Sequence, residues 1–178
     1  MRYILIGTLT FIFFFFFDVY TLKDDCVKKR FFGIIGFVAL MYSVVMVTVT
    51  SVRIDFPILL KIAALVFWVG VTFLLIYSLF LEIPFVKTYA KMQHNNELVK
   101  TGTYALCRHP GVLWFGFSFL FFFYTTGAVL LIPAGIIWTS ADVFYVYLQE
   151  KLIFYKIFPG YKVYVNTTPM LIPTKASI

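Results

Sequence analysis

Arg108-His109-Pro110-Gly111-Val112-Leu113-Trp114-Phe115, continuing apolar to Tyr124 and then Thr125-Thr126-Gly127-Ala128, is the stretch that decides the fold. A basic, polar triplet gives way at a proline to an apolar run. Proline suits the first turn of a helix, where its missing N–H would be unpaired in any case. The run therefore predicts a helix from Pro110 or Gly111 to about Tyr124. Thr125-Thr126-Gly127 has room only for a tight turn, and a second apolar run follows from about Ala128 to Leu148. Two spans joined this closely fold back as an antiparallel hairpin. Gly102-Thr-Tyr-Ala-Leu-Cys-Arg-His-Pro110 leads into the hairpin and Gln149-Glu150-Lys151 leads out. The two polar islands are thereby brought to the same end.

Composition says what solvent the hairpin meets. Of 178 residues, 62% are hydrophobic and 13% charged. A soluble domain is about half apolar and about a quarter charged, so this chain exceeds what a core of its own can hide. A helical span needs about 20 mostly apolar residues. Three further runs qualify: about Ile4 to Tyr20, Phe31 to Thr50, and Ile58 to Leu81 with Lys61 near its start. The reading is an all-α polytopic membrane protein of about five transmembrane helices, forming one domain over 1–178. Residues 1–85 hold three spans, 86–109 a loop carrying the motif, 110–149 the hairpin, and 150–178 a cover segment.

The net charge of +7 follows the loops. Lys23, Lys28, Lys29 and Arg30 lie in the first loop, Lys87, Lys91, Lys100 and Arg108 in the third, and Lys151, Lys156, Lys162 and Lys175 in the tail. Arg2, Arg53 and Lys61 face the other side, a bias of twelve against three. The positive-inside rule then puts the N-terminus outside, and both islands and the tail in the cytoplasm. Arg2 ahead of an apolar stretch has the look of a signal peptide, but no small-residue cleavage site precedes Asp24, so a retained span is expected. Because the cations sit between spans and form no single basic face, nucleic-acid binding is not expected. Cys26 and Cys107 fall on the reducing side, and no disulfide is expected. Neither His94 nor His109 has metal-ligand spacing, so no metal is expected.

The islands carry the chemistry. Arg108 presents a planar fork that matches a carboxylate or phosphate. His109 can donate, accept or act as a base near neutral pH. Gly102 permits close backbone approach, and Tyr104 adds a ring and a hydroxyl. Glu150 opposes them, so a guanidinium and a carboxylate on adjacent helix ends can clamp a zwitterion. The bland alternatives are an interfacial belt of Tyr and Arg and a Glu150 paired with a nearby Lys. Asp142, inside the fifth span, is an intramembrane carboxylate and a functional candidate by default; its alternative is a hydrogen bond to a neighbouring helix. Pro133 is expected to kink that span. The tail Phe158-Pro-Gly-Tyr161…Tyr164…Pro169-Met-Leu-Ile-Pro173 is too short for a span. It reads as a cover over the site or as an interfacial segment.

Leu98-Val-x-x-Gly102-x-Tyr104-x-x-x-Arg108-His109-Pro110, a helical hairpin, an acidic position, Tyr161-x-x-Tyr164 and a Pro-ending tail together resemble the isoprenylcysteine carboxyl methyltransferase family and its phospholipid methyltransferase relatives. The resemblance covers roughly residues 90 to 173. It implies an integral membrane enzyme that uses S-adenosylmethionine to methylate a lipophilic acceptor. Carried over by position, Gly102, Tyr104, Arg108, His109, Gln149, Glu150, Tyr161 and Tyr164 contact the cofactor, with Arg108, His109 and Glu150 the expected catalytic residues and the Arg108/Glu150 clamp on the cofactor's zwitterionic methionine part. Gln149 would hold a ribose or a backbone group, and Tyr161 and Tyr164 belong to the cover. The chain has Gln149-Glu150 where Glu-Glu is usual, Gly111-Val112-Leu113-Trp114 where x-Tyr-x-Gly is usual, and Asn96 where His is common. Acceptor identity and oligomeric state stay open. The rival expectations are a nicotinamide-dependent sterol-type reductase and a non-catalytic membrane protein of the same fold.

Overall fold

Backbone N–H and C=O groups find no water in hydrocarbon, so apolar runs of this length close their hydrogen bonds internally as helices. A computed structural model describes residues 1–82 and 98–174. Among them the long elements are α1 (Arg2–Leu22), α2 (Cys26–Val49), α3 (Ile58–Ile76), α5 (Pro110–Thr126) and α6 (Leu131–Gln149). Short helices α4 (Thr103–Leu106), α7 (Tyr155–Ile157) and α8 (Tyr161–Thr167) surround the polar islands. α3 runs on through a π-helical turn, Tyr77–Glu82, and α6 through another, Glu150–Phe154, into α7.

Four of these helical paths are long and apolar enough to cross a membrane: 2–22, 26–49, 58–82 and 131–157. α5 is apolar but has 17 residues, about 25 Å at 1.5 Å per residue, somewhat short of a 30 Å hydrocarbon core. The expected five spans are thus four of spanning length and one shorter apolar helix. The lateral order of packing is α2, α1, α6, α5, α3. α3, at the edge, leaves Leu59, Val66, Phe67 and Phe73 exposed, as suits a lipid-facing helix.

Where the central helices meet, Ile4, Phe11, Val47, Phe119, Phe123, Leu131, Ala134 and Trp138 form the core. Trp138 is fully buried, and its indole N–H donates to the Ile4 carbonyl at 2.9 Å. This bond ties the first turn of α1 to α6 and satisfies a polar group that hydrocarbon would leave unpaired.

Helix boundaries follow local chemistry. Pro110 takes the first position of α5, as its sequence predicts. α2 begins earlier than hydropathy suggests, because Asp25 caps it by accepting from the Lys28 N–H at 3.1 Å. Pro133 does not kink the fifth span from within. α6 starts at Leu131, so the proline sits in its first turn, where a missing N–H costs nothing. The helical path also continues beyond Gln149 to Ile157.

The turn between α5 and α6 is fixed by Gly127, which ends α5 in the left-handed region at φ 72°. There the chain pairs with the α2–α3 loop: Ile54 N–H donates to the Gly127 carbonyl at 2.8 Å and Val129 N–H to Val52 at 3.0 Å. A β-carbon on residue 127 would collide with the Ile54 carbonyl oxygen. Both loops therefore lie at one end of the helices, and the polar islands at the other.

Gly127→Ala carries a left-handed backbone penalty of ~1 kcal/mol besides that collision. A clear fall in the thermal midpoint of the purified protein is expected. An unchanged midpoint would contradict this account of the turn.

Candidate functional site

The α5/α6 hairpin returns the chain so that residue 150 meets residue 109. His109 Nε2 lies 2.8 Å from Glu150 Oε1. The Tyr161 hydroxyl donates to the same oxygen at 2.9 Å. Arg108 Nε approaches it at 3.0 Å, an ion-pair distance at which its N–H is not aligned for a hydrogen bond. All four side chains are buried, Arg108, His109 and Glu150 at 9%, 8% and 6% exposure. Burial of this degree is tolerable for a carboxylate only when donors surround it. The His109 ring lies nearly parallel to Phe154, 14° apart with centroids 6.0 Å distant.

Arg108 is incompletely satisfied. Its Nη1, like Nε, is buried without a hydrogen-bond partner. Such buried donors cost ~1–3 kcal/mol each. An anionic acceptor such as a carboxylate against Nη1 is the chemistry that would satisfy that donor.

The tail lies directly on the first island. Arg108 N–H donates to the Pro169 carbonyl at 2.9 Å and His109 N–H to Met170 at 3.1 Å. The Tyr164 hydroxyl donates to the Tyr104 carbonyl at 2.5 Å, and the Tyr104 hydroxyl to the Ser78 carbonyl in the π turn of α3 at 3.0 Å. Tyr161 packs edge-on to Phe154 and Tyr155 at 5.5 and 5.3 Å. Burial pushes the hydroxyl pKa values of Tyr161 and Tyr164 upward, and the Glu150 carboxylate adds to the shift at Tyr161. Both tyrosines therefore keep their protons and remain donors. Cys107 is also buried here, and burial pushes its thiol pKa up.

The expected site residues thus divide. Arg108, His109, Glu150 and Tyr161 converge on one carboxylate oxygen, with Tyr104 and Tyr164 joined to each other in the adjoining layer. Gly102 does permit a close approach, but to Glu82 rather than to open space. It adopts φ 59°, ψ −130°, and a β-carbon would strike the Glu82 carboxylate. That carboxylate accepts from the Thr103 N–H at 2.6 Å and from the Thr103 hydroxyl. Gln149 turns away from Glu150: its amide nitrogen donates to Asp18 Oδ2 at 2.7 Å and to the Tyr145 hydroxyl at 2.8 Å. Asp142 is half-buried in α6, with no hydrogen-bond partner among the described residues. His94 and Asn96 lie outside the described residues. Among the described residues no group of His, Cys, Asp and Glu is placed to hold a metal ion.

Sequence reasoning missed Asp18 and Glu82. Each is a single acid in or at the end of an apolar run, and that isolation was the available signal.

Comparison with protein-family models, with curated proteins and with solved structures finds no match. The functional reading therefore rests on this chain's own residues.

The Tyr164 clasp has a measurable consequence. In a Cys26→Ser background, Cys107 is the remaining thiol. Tyr164→Phe removes the bond to the Tyr104 carbonyl and should speed maleimide labelling of Cys107 severalfold. An unchanged rate would show that this bond does not hold the cover down.

Proposed function

We propose that this chain is a membrane-embedded S-adenosylmethionine-dependent methyltransferase acting on a lipophilic acceptor, akin to the isoprenylcysteine carboxyl and phospholipid methyltransferases. The observation that carries the reading is the convergence of Arg108, His109 and Glu150, with Arg108 Nη1 left unpaired, beneath an aromatic cover. The twelve-to-three bias of Lys and Arg supports a site at the cytoplasmic face, where a soluble cofactor and a lipid would both reach it.

The residues fit the methionine end of S-adenosylmethionine. Arg108 would take its carboxylate, and Glu150 would exchange internal donors for its ammonium. Tyr161, whose hydroxyl reaches Glu150, packs edge-on to Phe154 and lends the site an aromatic wall. When bound, the cofactor would supply a sulfonium methyl group: the acceptor's lone pair would bond to the methyl carbon in line as the carbon–sulfur bond breaks, its electron pair leaving on the neutral thioether. The protein's part is to align the partners and exclude water. An acceptor that is already a carboxylate needs no base. For an amine or thiol acceptor, His109 is the candidate base: with Nε2 engaged by Glu150, Nδ1 is the ring nitrogen left to take the proton.

A second reading, a purely structural clasp, has its own observation: Glu150 Oε1 already receives Tyr161 and faces His109 and Arg108. Calorimetry with S-adenosylmethionine or S-adenosylhomocysteine separates the two. The methyltransferase reading expects saturable binding, weakened about tenfold or more, ~1.4 kcal/mol, in Arg108→Ala and in Glu150→Ala. Folded protein that does not bind, or variants that bind like wild type, would favour the clasp.

A further inference from the structure

The described structure contains one buried polar cluster that the proposed site does not use. Asp18, in the Phe-rich α1, is 3% exposed. Its Oδ2 accepts from the Tyr145 hydroxyl at 2.6 Å and from the Gln149 amide at 2.7 Å. Gln149 in turn donates to the Tyr145 hydroxyl at 2.8 Å, closing a three-membered ring of bonds. Gln149 is itself buried at 7%. A carboxylate in a transmembrane helix is costly and rarely kept without a role.

Position suggests the role. Gln149 is the last residue of α6 proper, and the π turn begins at Glu150. Beyond residue 149 the regular α-helical ladder no longer dictates where side chains point. Successive helical residues point about 100° apart, so whatever holds Gln149 also sets the direction of Glu150. The ring of bonds pins Gln149 toward α1, and Glu150 is left facing His109 and Arg108. The end of α1 also packs against the π turn itself. π turns inside α-helices are often found at functional sites, and here the turn starts one residue after the anchor.

We propose that Asp18, acting through Tyr145 and Gln149, is a positioning residue that aims Glu150 at His109 and Arg108. This gives Asp18, 84 residues before Gly102 in sequence (102 − 18), a part in the site through its two partners. Its functional half rests on the methyltransferase reading; its structural half does not.

The test reads both halves. With 15N-histidine labelling, the His109 Nε2–H resonance reports the bond to Glu150, assigned by its loss in His109→Gln. Asp18→Asn keeps an oxygen that can accept from both partners, and should leave that resonance in place. Asp18→Leu removes the acceptor, and should shift or abolish the resonance, as Glu150→Gln does, while weakening S-adenosylmethionine binding roughly tenfold. A folded Asp18→Leu protein with a wild-type His109 resonance would overturn the proposal. If Asp18→Leu fails to fold, Gln149→Leu, which removes the donor to Asp18, decides in its place: a perturbed resonance supports the proposal and an unchanged one refutes it. Should wild-type protein bind no S-adenosylmethionine, the function falls, and the resonance still judges the positioning role.

Discussion

One carboxylate oxygen, Glu150 Oε1, organises the polar end of this protein. It receives the Tyr161 hydroxyl and faces the His109 ring and the Arg108 guanidinium. These groups come from α8, from the cap of α5 and from the segment before it, so a single buried charge joins three pieces of chain. Burying such a charge costs several kcal/mol, which paired donors offset, and removing one partner of a buried pair typically costs roughly 3–5 kcal/mol. The hairpin must therefore close for Glu150 to be satisfied, and the tail must lie down for Tyr161 to reach it.

Irregular backbone concentrates at this same end. α3 and α6 both pass into π turns, at Tyr77–Glu82 and Glu150–Phe154. The carbonyl of Ser78 in the first is taken up by Tyr104. Glu82, which ends that turn, holds the start of α4 through Thr103. The opposite end, where residues 52–54 pair with 127–129, is by contrast a compact junction of backbone bonds. The fold separates a turn end held by backbone bonds from a polar end held by side chains.

Much of this was legible in the sequence. Pro110 and Gly127 mark the ends of α5 because proline and left-handed glycine have few other uses there. Arg108, His109 and Glu150 stood out as polar groups at the ends of apolar runs and Tyr161 as part of the aromatic tail, and the structure brings them together. Other features left no local trace. Asp18 lies within a run of phenylalanines that hydropathy reads as uniform, and its partners are 127 and 131 positions away. The seating of the tail on Arg108 and His109 uses backbone carbonyls of Pro169 and Met170, which any residues possess. Pro133 was misread because the start of its helix, not the proline, decides whether a kink follows.

An experimental structure determined with saturating S-adenosylhomocysteine would test the central claim most directly. The account predicts the ligand's carboxylate on Arg108 and its ammonium facing Glu150, under Tyr161 and Phe154. A structure in which the ligand is absent, or bound elsewhere with the Arg108–Glu150–His109 contacts intact, would contradict it.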